Sequence, residues 1–207
     1  MKKHLSIFLQ AMLVVAVPVT VPGTVPVTVA SAVNIVVDLE QNQGQVEFLA
    51  VGRPSFLKIR GEKGRAKGNL LVTATTLSGT LAVELSAFDT GLDMRNRHMK
   101  ETYLEVEKFP RALLHLEGVS LPVNFLASLQ TSAESVPFTA KLELHGVVRE
   151  VKGVTSIHRD GDRVTGEAKF KLDLTDFAIA IPSYSGVTVA KEVSIIANIN
   201  APIRMQK

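Results

Sequence analysis

Apolar and polar residues alternate at every second position through most of the chain after Asn34, the pattern of antiparallel strands with one dry and one wet face. The clearest run is Arg163 to Leu174. There Val164, Gly166, Ala168, Phe170, Leu172 and Leu174 share one face, and Thr165, Glu167, Lys169, Lys171 and Asp173 share the other. Glu150 to His158 precedes it across Arg159-Asp160-Gly161-Asp162. An Asp-Gly pair between alternating segments predicts a hairpin, because glycine accepts positive φ without steric cost. Val136, Phe138, Ala140, Leu142 and Leu144 alternate against Thr139, Lys141, Glu143 and His145, and Val193, Ile195, Ala197 and Ile199 repeat the pattern near the end. Further strands fit Asn34 to Leu39, Gln45 to Val51, Phe56 to Arg60, Gly68 to Thr75, Gly79 to Ala87 and Arg111 to Val119. About ten candidates result, some of them halves of one bent strand. So many short strands predict an all-β sandwich or closed barrel, and closure removes the edges that invite aggregation.

Two stretches depart from the alternation. Leu92 to Lys108 is rich in Met, Arg, Lys and Glu, has Leu104 and Val106 sparsely placed and stops before Pro110, which predicts a short helix. Leu121 to Ser135 contains Asn124 to Leu129 and predicts one or two helical turns in a connecting loop.

The N-terminus follows another logic. Lys2 and Lys3 precede the apolar run Leu5 to Val17, and the segment closes on Ala30-Ser31-Ala32, the small-x-small pattern that signal peptidase cuts. A membrane-spanning helix needs about 20 apolar residues, and Pro18, Pro22, Gly23 and Pro26 interrupt the run first. Residues 1–32 are therefore expected to be a cleavable signal peptide and 33–207 one domain, periplasmic or secreted, with no integral membrane span after cleavage. The doubled Val-Pro-Val-Thr-Val at Val17 to Val21 and Val25 to Val29 is an extended spacer that cannot fold alone.

Composition narrows the chemistry. The chain has no cysteine, so disulfides, thiolate nucleophiles, Cys-ligated metals and a lipoprotein anchor are excluded. Lys and Arg number 23 against 20 acids, and without Lys2 and Lys3 the excess falls from three to one, which argues against a nucleic-acid partner. No Gly-x-Ser-x-Gly elbow is present, Ser183 and Ser185 flank Tyr184 in an expected loop, and no glycine-rich phosphate loop opens a helix. His98, His115, His145 and His158 lie far apart in the chain; His115 and His145 could meet across neighbouring strands on the wet face. Glu143, Glu167 and Asp173 alternate outward as solvated sheet residues. No catalytic residue, metal site or cofactor is therefore assigned, and the protein is not read as an enzyme.

Two clusters carry candidate binding chemistry. Lys58, Arg60, Lys63, Arg65 and Lys67 surround Glu62 beside Gly61, Gly64 and Gly68, which predicts an exposed hairpin or loop with a positive field. Met94-Arg95-Asn96-Arg97-His98-Met99 places soft apolar and cationic side chains together, suited to filling core gaps or to the rim of a cavity that takes a polar headgroup.

With these elements in place, the chain resembles the YceI-like family of exported lipid- or polyisoprenoid-binding proteins. The likeness rests on Phe88-Asp-Thr-Gly91 leading into Met94 to Met99, then Lys108-Phe109-Pro110, Leu142-Glu143-Leu144-His145-Gly146-Val147, and Asp176-Phe177-Ala178-Ile179, in order across nearly the whole domain. The resemblance implies a lipocalin-like antiparallel β-barrel of about eight strands, whose apolar tunnel holds an isoprenoid or other long-chain lipid for carriage, storage or sequestration. It implies tunnel contacts from Phe88, Leu114, Phe138, Leu142, Leu144, Phe170, Leu172 and Phe177, and rim contacts from Met94, Arg95, His98 and Tyr184. Asn96 stands where the family usually has Asp, and the His-Ser often found before the second strand is missing near Gln45. A homodimer is left open. The rival readings are a filled barrel acting as an envelope protein-interaction or structural module, with the Lys58–Lys67 segment as its contact, and an enzyme acting on quinones or prenyl lipids. The latter needs a polar group with a shifted pKa inside the tunnel, and the apolar faces offer none.

Overall fold

The computed structural model describes residues 34–205 apart from Pro54, Asn124, Ser185 and Gly186, so the expected export segment lies outside the described residues. The strands are β1 (Ile35–Arg53), β2 (Lys58–Val72), β3 (Thr76–Glu84), β4 (Arg111–Ser120), β5 (Gln130–Leu144), β6 (Val147–Asp160), β7 (Arg163–Asp173), β8 (Ser183–Tyr184) and β9 (Val187–Met205). Each of β1 to β6 pairs antiparallel with the next, β7 pairs with β9, and β9 returns to β1, which closes a ring of eight long strands. The two-residue β8 flanks the start of β9 through Ser183–Thr188 and Tyr184–Val187. The expected all-β barrel is present, and the Asp160-Gly161 hairpin forms with Asp160 opposite Arg163 and Gly161 at φ 59.

Ten candidate strands became eight because two pairs are continuous. Asn34 to Leu39 and Gln45 to Val51 are halves of β1, separated by a register shift between Leu39 and Gly44. Phe56 to Arg60 and Gly68 to Thr75 merge into β2, whose middle is the cationic, glycine-rich stretch. The loop expected there is thus corrected to a bulged strand. Gly61 and Gly64 face inward while Glu62 and Lys63 both face out, and Lys63 takes a left-handed φ of 65. One extra residue bends a strand without ending it. The expected turns over Leu121 to Ser135 are corrected in part: Gln130 to Ser135 belong to β5, and only the segment before it turns.

The expected helix is α1 (Asp93–His98), continued by a wider π turn over Met99–Tyr103. It lies in the connection from β3 to β4. Among the described residues no helix is long and apolar enough to cross a membrane.

The barrel's two ends differ. At one end Ile35, Val37, Leu70, Val72, Val164 and Ala201 pack with Phe125, which drops in from the β4–β5 connection and is 1% exposed. Each fully buried Val, Leu, Ile or Phe contributes roughly 1.5–3 kcal/mol, so this solid end carries much of the stability. At the other end the inward side chains Phe48, Ile59, Val83, Leu114, Ile195 and Ala197 remain only half-buried, because the space they face is not filled.

Candidate functional site

That unfilled space is a hollow of about 700 Å³, lined by inward residues of every long strand except β6. Its wall is hydrocarbon: Val46, Phe48 and Ala50 from β1, Leu81 and Val83 from β3, Leu142 and Leu144 from β5, Phe170 and Leu172 from β7, Val193, Ile195 and Ala197 from β9. The period-2 pattern that makes these strands also aims every second side chain at the same space. Small residues Ala50, Ala66, Ala112 and Ala197 keep it open. Phe48 and Phe88 meet edge to face at 5.3 Å between ring centroids. Gly61 and Gly64 leave room for them: a Cβ on Gly61 would sit 1.9 Å from the Phe48 ring, and one on Gly64 2.5 Å from Phe88.

The mouth is built from the β1–β2 hairpin, which gives Leu57 and Lys58, and from Leu92 to Tyr103, which gives Leu92, Asp93, Met94, Arg95, His98, Met99 and Tyr103. A hydrogen-bonded relay fixes this second part. Glu62 and Asp89 exchange backbone hydrogen bonds of 2.8 and 2.9 Å, which ties the β2 bulge to the start of the connection. Lys63, turned outward by its left-handed backbone, reaches Asp89 Oδ2 at 2.6 Å. Asp89 Oδ1 accepts from Gly91 N–H at 2.8 Å and from Asn96 Nδ2 at 2.9 Å, while Asn96 Oδ1 accepts from the Thr90 N–H and hydroxyl, both at 2.7 Å. Arg95 donates through Nε to Thr90 Oγ1 at 2.8 Å and through its terminal nitrogen to the Thr90 carbonyl. The Lys63 ammonium, the Asn96 amide and the Gly91 N–H together hold the Asp89 carboxyl well below the ordinary carboxylate range. A polar cleft of about 460 Å³ adjoins the mouth, and Lys58, Thr90 and Arg95 border both spaces.

Several expected residues come together here. Phe88, Leu114, Leu142, Leu144, Phe170 and Leu172 line the hollow, and Met94, Arg95 and His98 stand at its mouth. Others do not. Phe138 shares the inward face of β5 with Leu142 but lies nearer the solid end, beneath the floor, where its ring packs against Phe170 at 6.1 Å and covers Gly153. Phe177 is buried in the 3₁₀ turn that follows β7, outside the lining, and its carbonyl lies 3.2 Å from His145 Nδ1. Tyr184 lies in β8, and its side chain is outside the described residues. His115 and His145 do not meet: His115 Nδ1 is 3.0 Å from Thr80 Oγ1, and His145 sits in the β5–β6 turn. Asn96, noted for replacing an acid, points away from the hollow into the relay.

The sequence reading missed Phe48, Ile59, Val83, Leu104, Ile195 and Ala197 as lining. For Val46, Phe48 and Ala50 the alternation in β1 was sufficient signal. Thr90 and Tyr103 gave none; the Tyr103 hydroxyl accepts from Ser183 N–H at 3.3 Å and fastens the π turn to β8. Among the described residues no cluster of three metal-ligating side chains forms.

The family model described as the YceI-like domain matches residues 37–201. A polyisoprenoid-binding domain from Saccharophagus degradans implicated in plant cell wall breakdown is similar at 14% identity and a TM-score of 0.60, over 82% of this chain and 98% of that one. BcnA of Burkholderia cenocepacia is similar at 16% identity and a TM-score of 0.60, over 79% of this chain and 99% of its own. No curated protein matches the chain.

Proposed function

The chain belongs to the YceI-like family, and from that premise we propose that it is an exported binding protein, not an enzyme, which holds the tail of an isoprenoid or another long-chain amphiphile in its barrel. One observation carries the reading: a hollow of about 700 Å³ whose wall is almost entirely hydrocarbon. The Saccharophagus degradans neighbour, a polyisoprenoid-binding domain by its description, supports a ligand of that class. The N-terminal pattern of Lys2, Lys3, an apolar run and Ala30-Ser31-Ala32 supports export.

The energetics favour tail over head. Burial is worth about 0.8 kcal/mol per methylene, hence roughly 3–4 kcal/mol for a five-carbon unit before entropy is counted. A charged hydrogen bond to a headgroup adds only about 1.5–3 kcal/mol. The tail therefore sets affinity, and Arg95, Lys58 and His98 at the mouth set selection. With a methylene taking about the 30 Å³ of a liquid water molecule, the hollow holds on the order of twenty carbons.

The test is organic extraction of protein purified without detergent, followed by lipid mass spectrometry. An amphiphile with a long apolar tail is expected from the native chain and none from Phe170→Asp or Leu144→Asp. A native extract free of apolar compounds, from protein shown to be folded, overturns the reading. Export is checked separately by sequencing the N-terminus of periplasmic protein, expected to begin at Val33. The rival filled barrel finds no support in an interior with this much room.

A further inference from the structure

We propose that the mouth of the barrel docks on anionic lipid bilayers, with Phe56, Leu92 and Met94 entering the headgroup layer. The inference rests on the tail-binding reading for its purpose, but its test does not.

The first observation is apolar exposure in one place. Phe56 at the tip of the β1–β2 hairpin is 77% exposed, and Leu92 and Met94 beside and on α1 are 59% and 60% exposed. Leu92 and Met94 also line the hollow, as does Leu57 next to Phe56. Exposed apolar side chains thus continue into the lining of the hollow, with Lys58, Asp93 and Arg95 beside them at the mouth. Exposed apolar groups gathered at a ligand opening mark an interaction surface.

The second observation is charge. Residues 53–58 and 92–103 together carry Arg53, Lys58, Arg95, Arg97 and Lys100 against Asp93 and Glu101, a net charge of +3. Ten Lys and Arg elsewhere on the barrel are paired with acids, Arg60, Lys63, Lys108, Arg111 and Lys141 among them. None of the five mouth cations is in an ion pair among the described residues. Cations outside ion pairs in the same two segments as exposed apolar side chains are the complement of an anionic bilayer, where charge attracts and apolar side chains insert.

The opposite end shows what distinguishes the mouth. Val123 there is also exposed, at 78%, yet residues 121–130 carry no charge. That connection offers apolar surface with no charge of its own to draw it to an anionic membrane. A docked mouth also lets a tail pass from bilayer to hollow without crossing water, where each exposed methylene is penalised.

The absence of cysteine makes the experiment clean. Single variants Phe56→Cys, Leu92→Cys and Val123→Cys of the full chain are labelled with an environment-sensitive fluorophore and titrated with phosphatidylcholine vesicles, with or without phosphatidylglycerol. Labels at 56 and 92 are expected to brighten and shift blue on anionic vesicles only, while the label at 123 does not change. Arg53→Glu combined with Arg97→Glu should weaken the response by about tenfold or more, and added salt should weaken it in the native background. Three results overturn the proposal: labels at 56 and 92 that stay aqueous on anionic vesicles, including when the chain is held there by residues 1–32 alone; a label at 123 that responds equally; or a shift at 56 and 92 that needs no vesicles and rises with protein concentration, which would assign the surface to a second copy of the chain. Lipid extraction from the same protein is read independently, so an empty hollow with inserting labels separates failure of the tail-binding reading from failure of docking.

Discussion

The His145 imidazole stands between two acceptors, with Nε2 3.1 Å from Glu105 Oε2 and Nδ1 3.2 Å from the Phe177 carbonyl. It thereby joins three segments that frame the open end of the barrel: the β5–β6 turn, the chain after the π turn, and the 3₁₀ turn after β7. The side chain is 11% exposed and the Phe109 ring lies against it at 4.5 Å. The backbone of His145 and Gly146 is left-handed, at φ 52 and 74, which aims the ring back over the barrel end. Lys108 and His145 together hold the Glu105 carboxyl below its ordinary range.

Truncating this link strands the Phe177 carbonyl and leaves the Glu105 carboxylate to Lys108 alone. His145→Ala should cost about 1–3 kcal/mol, and at roughly 2–4 °C per kcal/mol for a domain of this size the melting temperature should fall by several degrees. A thermal scan that leaves His145→Ala level with the native chain removes the bridge from the account.

Gly61→Ala tests the aromatic wall. The new methyl meets the Phe48 ring, which must leave its seat against Phe88 and swing into the hollow. Overpacking of this kind costs about 1–3 kcal/mol, so both a lower urea midpoint and reduced uptake of an apolar fluorescent probe are expected. Normal uptake together with normal stability would show that Phe48 has room the geometry does not reveal.

Ala197→Phe makes the opposite separation. Ala197 faces the hollow and is only half-buried, so a phenyl ring there occupies free volume and displaces no neighbour. Stability should change by less than about 1 kcal/mol, while co-purifying lipid disappears from the mass spectrum. Undiminished lipid in this variant would mean that the bound tail lies elsewhere.

The carboxylates predict a direction with pH. Asp89 in the folded chain titrates below its ordinary 3.8, and Asp173, bonded first to Lys191 and then to Thr175, titrates at about 2. A depressed folded pKa contributes stability that is present above pH 3.8 and lost as the pH falls through the folded value. Both groups are half-buried but reach solvent, so the loss is modest and shrinks in salt. Asn96→Asp should reverse the sign near the mouth. It replaces the donor 2.9 Å from Asp89 Oδ1 with a second carboxylate, and two adjacent carboxylates favour sharing a proton. That variant should melt lower than the native chain at neutral pH and recover part of the difference on mild acidification. A gap independent of pH would place the role of Asn96 in shape alone.

Much of the barrel was legible because period-2 alternation fixes which side chains share a face, as in Arg163 to Leu174. The merging of strands in β2 was not legible, since Gly61, Lys63 and Gly64 have the composition of a turn and only pairing with β1 and β3 shows that the strand continues. The hollow was half legible. Alternation places Phe138 and Leu142 on the same side, but one is beneath the floor and the other on the wall, because periodicity carries no measure of depth. The relay at the mouth was least legible: Lys63 is 26 residues from Asp89, and only the β2 bulge and the short helix bring it together with Asp89 and Asn96.

The plug around Phe125 has a consequence for traffic. A sleeve sealed at its base has a single doorway, so whatever slides in tail-first can only back out by the same route, head leading. Nothing can be threaded through from one side to the other. On the proposed tail-binding role, loading and unloading would then share one threshold, and the barrel itself would impose no direction.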